Sequence, residues 1–386
     1  MIRVASVFSQ LLNIFSRQDF FRAVKDHEAE RYSKGFSCWD QFVSMLFCQL
    51  AQAHSLREIC GGLSCCLGKV VHLGLKEAPK RSTLAYANAH RPWQLYETIF
   101  QQLLARCQQL SPGKKFRFRN KLYSLDSSVI DLAVGLFDWA KFRQTKGAVK
   151  LHLLLDHEGY LPTFASITEG KVHDVKVAHE LEFAPGSIVV LDRGYNDYRL
   201  FGRWDEAGVF FVTRLKRNAV YRVVERRAVP KHLGVICDQV IRLTGHRAEK
   251  HCPGLLRRVV YRDPETGQRL VFLTNHLGFS PTTIARIYKD RWEIELFFKA
   301  LKQNLKIKTF VGTSPNALRT QIWTALIAML LLKYLQLRSK LGWALSNLVA
   351  FLRWNLFTYR DLWEWIDDPF KTPPLVPPPR QLEFVF

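Results

Sequence analysis

The acidic residues best placed for chemistry are Asp126, Asp192 and Glu295. Asp126 lies within an otherwise apolar stretch, SLDSSVIDL, and Asp192 closes the run IVVLD. A carboxylate among buried aliphatic side chains is costly unless it is paired or binds a cation. If the two stretches are neighbouring parallel strands, the two carboxylates repel each other and a cation is expected between them. Glu295 supplies a third carboxylate from a helix that could pack on the sheet.

Carboxylate oxygens are the hard ligands that Mg²⁺ and Mn²⁺ prefer. Two such ions about 3.5–4 Å apart can clamp a phosphodiester, one activating the attacking oxygen and the other stabilising the leaving oxygen. We therefore expect a site for two Mg²⁺ ions, in which Mn²⁺ can substitute. Asp126, Asp192 and Glu295 are its expected catalytic and metal-binding residues.

Structural roles are the alternative for each aspartate. Asp126 could start a turn with the serines that follow it, and Asp192 could form an ion pair with Arg193. Other acids on nearby segments compete for the same role: Asp131, Asp156 and Asp174.

The helix that carries Glu295 has a polar stripe on a largely apolar surface. Four polar residues fall within an arc of roughly 60°, at 100° per residue: Tyr288, Arg291, Glu295 and Lys302. A solvated face with an Arg291–Glu295 pair is one explanation. Beside a phosphodiester, Arg291 and Lys302 would instead bind phosphate, and the Tyr288 hydroxyl would donate a hydrogen bond. Two further candidates for DNA contact are Lys299 and Arg193.

The charge balance favours a polyanionic partner. The 386 residues include 56 Lys and Arg against 34 Asp and Glu, a net charge of +22. Such an excess is typical of proteins that bind nucleic acid or an anionic membrane surface, although a basic protein with no polyanionic partner remains possible. The most apolar run, 322–332, is about half the ~20 residues that a membrane-spanning helix needs. With no signal-peptide pattern at the N-terminus, we expect a cytoplasmic protein without a membrane partner.

The patterning predicts an α/β protein with a helical N-terminal region. Apolar residues recur every three or four positions through residues 1–118, which we expect to form a helical DNA-binding domain. Residues 122–132 and 147–170 predict three strands, and 186–192 a buried parallel strand. Residues 119–212 and 270–340 would form the core. Residues 213–269 would form a basic, β-rich insertion with antiparallel strands, and 341–386 a C-terminal helical region with a Pro-rich tail.

These blocks together resemble bacterial insertion-sequence transposases of the DDE type, in insertion sequence family four. The late helix matches the pattern Y-x2-R-x3-E-x6-K, and SLDSSVIDL and VLDRGYNDYRLF resemble the two aspartate blocks of that family. The segment FLTN…IARIYKDRWEIELFFKALKQNLKI is similar to its C-terminal block. The resemblance runs in order from about residue 120 to 310, and residues 1–118 look like the N-terminal region of one subgroup.

The resemblance implies a ribonuclease H-like catalytic core with the β-rich insertion between Asp192 and Glu295. It implies Mg²⁺-dependent cleavage at the element ends, attack of the freed 3′-hydroxyl to form a hairpin, and transfer of the strand into target DNA. The implied partner is double-stranded DNA, as terminal inverted repeats and as target. A homodimer is implied in the DNA complex, with the protein on the bacterial nucleoid when bound.

The insertion differs from that of some family members in its aromatic residues. Hairpin-forming relatives can stack a flipped base on a tryptophan of the insertion, but residues 213–275 contain no Trp. Tyr221 or Tyr261 could replace it, since any aromatic face stacks a base. A catalytically inactive DNA-binding descendant, or another two-metal nuclease of ribonuclease H-like fold, would share many of these features.

Overall fold

The structure is a computed structural model, and it describes residues 5–31, 33–66, 69–111, 116–133, 137, 139, 141–143, 146–229, 233–307, 309–371 and 373. The chain divides into two compact units, Met1–Ser111 with Ala300–Phe386, and Pro112–Lys299. The functional division predicted from the sequence, with boundaries at 118, 212, 269 and 340, remains a prediction.

The α-helices of the first unit begin, in most cases, at capping residues that the sequence displays. They are α1 (Val7–Leu12), α2 (Arg17–Asp26), α3 (Cys38–Ala51), α4 (Leu56–Ser64), α5 (Arg81–His90), α6 (Gln94–Gln109), α12 (Pro315–Arg338), α13 (Leu345–Asn355) and α14 (Leu362–Asp367). The first four are each preceded by a serine whose side chain accepts a backbone N–H three residues on. Such a cap satisfies one of the donors that a helix start leaves unpaired.

The apolar run 322–332 lies in the middle of α12. Among the helices in the described part of the chain, α12 is long and apolar enough to cross a membrane by length and composition, but 78% of its most apolar window is buried within the protein. It packs against α3, α5, α6 and α13 of its own unit. A core helix of a soluble protein has these properties, so the predicted buried helix is confirmed.

Among its described residues, the second unit forms one sheet of ten strands. They are β1 (Leu122–Leu132), β2 (Lys141–Arg143), β3 (Lys146–Asp156), β4 (Leu161–Glu169), β5 (Ile188–Leu191), β6 (Phe210–Arg214), β7 (Tyr221–Arg226), β8 (Val235–Leu243), β9 (Leu256–Arg262) and β10 (Arg269–Thr274). The order across the sheet is β2-β3-β1-β5-β6-β10-β9-β8-β7, and β4 also pairs with β3.

Strand direction changes across the sheet. β3 is antiparallel to both of its neighbours β1 and β4, whereas β1, β5 and β6 run parallel. The insertion strands β7, β8 and β9 are antiparallel, as predicted, and β10 joins them to β6 within the same sheet. The mixed α/β class is therefore confirmed.

Helices cover both faces of the sheet. The elements concerned are α7 (Asp174–Glu180), α8 (Tyr198–Glu206), α9 (His246–His251) and α10 (Pro281–Asp290), and α11 (Trp292–Asn304) follows α10 in the chain. One apolar cluster joins α8 to Leu125, Val189 and Leu191, and we call this side the α8 face. The other joins α10 to Leu122 and to Ile188 and Val190 of β5, and we call this side the α10 face.

The single helix predicted to carry Tyr288, Arg291, Glu295 and Lys302 is interrupted at Arg291. The Arg291 N–H donates to the Tyr288 carbonyl at 3.2 Å, and the Ile294 N–H donates to the Arg291 carbonyl at 3.1 Å. These bonds span three residues rather than the four of an α-helix, so the turn is tighter here. Tyr288 therefore lies on α10, and Glu295 and Lys302 lie on α11.

Candidate active site

The two aspartates lie side by side on neighbouring parallel strands. In the β1–β5 register Leu125 pairs with Leu191, so Asp126 on β1 lies beside Asp192, the residue directly after β5. Side chains alternate between the faces of a strand. Since Leu122 and Ile188 face α10, both aspartates point toward the α10 face as well. The middle of β1 and the carboxyl end of β5 thus present two acids to one helix.

The α10–α11 junction brings three more predicted residues to this position. Arg291 Nη2 donates to Glu295 Oε1 at 2.5 Å, and Arg291 Nη1 donates to Asp126 Oδ2 at 3.3 Å. The Tyr288 hydroxyl donates to Asp192 Oδ1 at 3.4 Å. One guanidinium therefore links the acid of β1 to the acid of α11. The structure brings together the three carboxylates, the arginine and the tyrosine that were predicted.

Charge compensation at this cluster is incomplete. Burial raises the pKa of Asp126 to about 6; the Ser127 N–H and Arg291 oppose the shift, and the Glu295 and Asp192 carboxylates add to it. Arg291 itself is nine-tenths buried and serves two acids. Within the described residues, no three His, Cys, Asp or Glu side chains are close enough together to hold a metal ion as they stand. In this conformation the guanidinium occupies the position between Asp126 and Glu295.

The remaining predicted DNA contacts are on the surface. Arg193 lies in the short 3₁₀ turn Arg193–Tyr195 and is exposed, as is Lys299 on α11. Asp192 caps that turn, because its Oδ2 accepts the Gly194 N–H at 3.4 Å. Lys302 is half-buried and belongs to the first unit.

The competing acids have other tasks. Asp131 is exposed near the end of β1. Asp156 forms an ion pair with Lys121 at 3.3 Å, and its Oδ1 accepts the Glu158 N–H at 2.8 Å in the β3–β4 turn. Asp174 accepts hydrogen bonds from Lys150 and Ser127 on the α8 face. None of these three lies with Asp126 on the α10 face.

Not all of the basic residues in the insertion are available for DNA. The Arg257 side chain is buried and donates twice to Asp238, at 2.8 and 2.6 Å. Arg258 donates to Gln239 at 2.8 Å and lies over the Tyr221 ring. By contrast, Arg222, Arg226 and Arg242 are exposed. A count of cations in the sequence cannot separate these two groups, because it does not show which face each strand buries.

A cleft of about 740 Å³ opens beside the carboxylates, and sequence reasoning did not predict it as a cleft. Its lining combines aromatic, basic and acidic side chains, among them Tyr261, Tyr288, Trp292, Arg214, Arg286, Arg291, Asp263, Glu265, Asp290 and Glu293. Trp292 is more than half exposed.

Residues 122–331 match the family described as "Transposase DDE domain". The chain belongs to the DDE transposase family. The matched region contains β1, β5 and α11 and with them all three predicted acids. Residues 3–76 of the transposase also match a domain of unknown function, DUF4372.

Bacterial relatives agree with this assignment. The transposase is 30% identical over 321 residues to a Sinorhizobium fredii protein assigned as transposase y4zB, covering 80% of this chain and 87% of the relative. It is 27% identical over 275 residues to one assigned to insertion sequence element IS5377 of Geobacillus stearothermophilus, covering 70% and 72%. It is 25% identical over 198 residues to transposase InsG of insertion sequence element IS4 of Escherichia coli, covering 48% and 43%.

A solved piggyBac transposase complex with hairpin DNA aligns with 96% of this chain and 81% of its own, at 10% identity and a TM-score of 0.43, a similarity too weak to identify a fold. The family assignment confirms the predicted bacterial insertion-sequence DDE transposase. The protein is an enzyme that cleaves and transfers DNA, and DNA is its partner.

Proposed function

We propose that Asp126, Asp192 and Glu295 form the catalytic centre and hold two divalent ions, Mg²⁺ or in its place Mn²⁺. The donor set fits, since it consists of hard carboxylate oxygens from two strands and one helix. The observation that carries the proposal is the single Arg291 guanidinium that bonds both Asp126 and Glu295, while Tyr288 bonds Asp192. Three acids with so little positive charge around them are suited to cations. When bound, such ions stabilise the attacking and leaving oxygens of a phosphodiester.

The neighbouring side chains bind and orient the DNA end in this proposal. Arg291 presents a planar set of N–H donors that suits phosphate oxygens, and Tyr288 presents a hydroxyl. Lys299 and Arg193, both exposed, and Lys302 add positive charge for the DNA backbone. Together these groups would place the scissile phosphate against the acids.

The proposed fold of the catalytic region is a ribonuclease H-like core. Support comes from the mixed sheet, in which the antiparallel strands β1, β3 and β4 precede the parallel strands β5 and β6. Helices α7 and α8 lie in the connections to β5 and β6. The proposed DNA-binding domain is the helical region 1–118, and the insertion 213–269 supplies further contacts.

For the hairpin step we favour Tyr261 over Tyr221 as the base-stacking aromatic. Tyr261 lines the cleft that Tyr288 and Trp292 also border. The Tyr221 ring is covered by the Arg258 guanidinium, 5.4 Å from its centroid. A face already in contact with a cation is less available to a base.

The proposed substrates are the terminal inverted repeats of a bacterial element and its target DNA, bound by a homodimer of this protein in the cytoplasm. The test uses purified protein, Mg²⁺ and a linear fragment that ends in the element's own repeat. We expect cleavage at the element boundary by the wild type. Asp126→Ala, Asp192→Ala and Glu295→Ala should abolish it and keep end binding.

The matched control is Asp131→Ala, which removes an exposed acid from the same strand. It should cut like the wild type. If the wild type binds the end without cutting, the inactive-descendant alternative is correct. If the three alanine variants still cut, the residue assignment is wrong. Inverted repeats and target duplications flanking the gene would separate transposition from other nuclease activity.

A further inference from the structure

A buried hydrogen-bonded chain of three side chains lies beneath the carboxylates. Ser124 Oγ is 2.7 Å from His157 Nε2, and His157 Nδ1 is 2.6 Å from Asp290 Oδ2. Ser124 is fully buried, and His157 is 6% exposed. The Tyr160 hydroxyl also donates to Asp290, at 3.2 Å. Both imidazole nitrogens of His157 are therefore engaged, Nδ1 with the Asp290 carboxylate and Nε2 with the Ser124 hydroxyl.

The same order of groups occurs in serine hydrolases, where a histidine activates a serine and an acid orients the histidine. Burial excludes that chemistry here. Ser124 lies within β1, with β3 and β5 paired on either side, and no part of it is exposed to solvent. A substrate cannot reach its hydroxyl. The chain of hydrogen bonds must therefore act on the protein itself.

The two ends of this hydrogen-bonded chain, Ser124 and Asp290, lie on β1 and on α10. Ser124 lies two residues before Asp126 on the same face of β1. Asp290 is the last residue of α10 and directly precedes Arg291. The chain thus connects β1 to the α10–α11 junction just below the point where Arg291 bonds Asp126. β1 and the α10–α11 junction are therefore joined in two places, by the buried hydrogen bonds of His157 and by the bond from Arg291 to Asp126.

The interruption of the helix at Arg291 explains why the buried hydrogen bonds at Asp290 would be needed. A continuous α-helix would carry the direction of α10 into α11 through its own hydrogen-bond ladder. Here the ladder tightens at Arg291, so α10 fixes the direction of α11 less firmly. An additional constraint at Asp290 can supply what the ladder does not.

We propose that Ser124, His157 and Asp290 are positioning residues that fix the α10–α11 junction over β1, so that Glu295 and Arg291 meet Asp126. The proposal rests on the catalytic role proposed for Asp126. Loss of these buried hydrogen bonds should misplace Glu295 and weaken the metal site. DNA binding depends on many surface cations and should be retained.

The experiment measures single-turnover cleavage of a saturating repeat-ended fragment at a series of Mg²⁺ concentrations. Ser124→Ala and Asp290→Ala should lower the rate about 10- to 100-fold and raise the Mg²⁺ concentration for half-maximal rate, as outer-shell substitutions do at metal sites. The Kd for the fragment should stay within about twofold, because the phosphate contacts remain. Ser124→Thr, which keeps the hydroxyl, should restore most of the rate.

The control for general destabilisation is Asp238→Ala, which breaks the buried pair with Arg257 elsewhere in the same sheet. It should lower the unfolding temperature and leave the rate and the Mg²⁺ requirement of the folded enzyme unchanged. If an alanine variant does not fold, Asp290→Asn, of the same shape and without the charge, replaces it in the comparison.

The possible outcomes separate the two proposals. Wild-type rates and Mg²⁺ requirements in the folded Ser124 and Asp290 variants would overturn the positioning role. An equal loss in Asp238→Ala would overturn it too, since the effect would then be general. Cleavage by Asp126→Ala, measured on the same fragment, would instead overturn the catalytic assignment.

Discussion

One acidic group lies on each face of the sheet at β1, Asp174 of α7 on one side and Asp126 of β1 on the other, and their hydrogen-bond partners differ. On the α8 face, Asp174 accepts hydrogen bonds from Lys150 at 3.0 Å and from Ser127 at 2.9 Å. On the α10 face, Asp126 shares Arg291 with Glu295, and burial raises its pKa to about 6. The first acid has donors of its own and holds the fold together. The second lacks enough positive charge, which is typical of a carboxylate kept for function.

The largest expected difference between the faces is in catalysis. Asp126→Asn should reduce cleavage by about 10²–10³-fold or more, the scale seen when an electrostatic contact to the transition state is removed. Asp174→Asn should change the rate of the folded enzyme only slightly. In protein without metal, Asp174→Asn should affect the stability more than Asp126→Asn does. Asp174→Asn should lower the unfolding temperature, whereas Asp126→Asn relieves repulsion from Glu295 and Asp192 and should leave it unchanged or raise it.

Single-turnover cleavage and thermal unfolding in the presence of a chelator measure both effects. Full cleavage by Asp126→Asn, or its loss in Asp174→Asn, would remove the distinction between the two faces.

Acid should lower the free energy of unfolding through His152, which lies on the α8 face. This histidine is buried, its Nε2 is 2.9 Å from Thr168 Oγ1, and its Nδ1 lies 3.9 Å from Asp174. Burial lowers its pKa to about 4; Asp174 opposes the shift and Lys150 adds to it. Since the unfolded chain binds the proton more tightly, this stabilisation is complete above about pH 6.5 and is lost as the pH falls toward 4.

Between pH 7 and pH 5 the expected loss in the free energy of unfolding from His152 is about 2 kcal/mol. Urea unfolding at the two pH values measures it, and His152→Gln, which cannot be protonated, isolates the contribution of this one group. An identical pH dependence in wild type and variant would show that His152 does not contribute.

The smallest expected effect concerns the salt dependence of DNA binding. Arg291→Gln and Lys302→Gln should each weaken end binding and reduce the slope of log K against log salt by about 0.9, since each lost phosphate contact releases one fewer counterion. Lys171→Gln is the control, because Lys171 is exposed and paired with Glu169 at 2.7 Å. Titrations at several salt concentrations measure the slopes. Equal slopes in all variants would argue against phosphate contacts at Arg291 and Lys302.

Much of the arrangement could be predicted from local patterns. The strand predicted at 122–132 is β1 with those bounds, and β5 is parallel to it, as the buried run IVVLD indicated. Helix α4 begins after Ser55, whose side chain accepts the Glu58 N–H, as serine commonly does at a helix start. Such features depend on a few consecutive residues, which a sequence displays directly.

The features that were missed depend on pairings between distant residues. His157 contacts Ser124 and Asp290 only because β3 pairs with β1 and α10 packs on the same face. Arg257 belongs to the insertion that its composition marks as basic, but the pairing of β8 with β9 brings it to a buried ion pair with Asp238. The interruption at Arg291 also escaped prediction, because the residues around it form good helices. The roles of the predicted site residues still await the experiments above.

The continuity of the sheet limits how this transposase can be shortened. β10 is bonded on one side to β6 and on the other to β9, so the inserted strands are not a detachable appendage. Cutting out β7 through β9 would leave the outer edge of β10 with a row of unpaired N–H and C=O groups. Exposed edges of that kind pair with other chains, so a minimal catalytic fragment made this way would aggregate unless its new edge were protected by charge or proline.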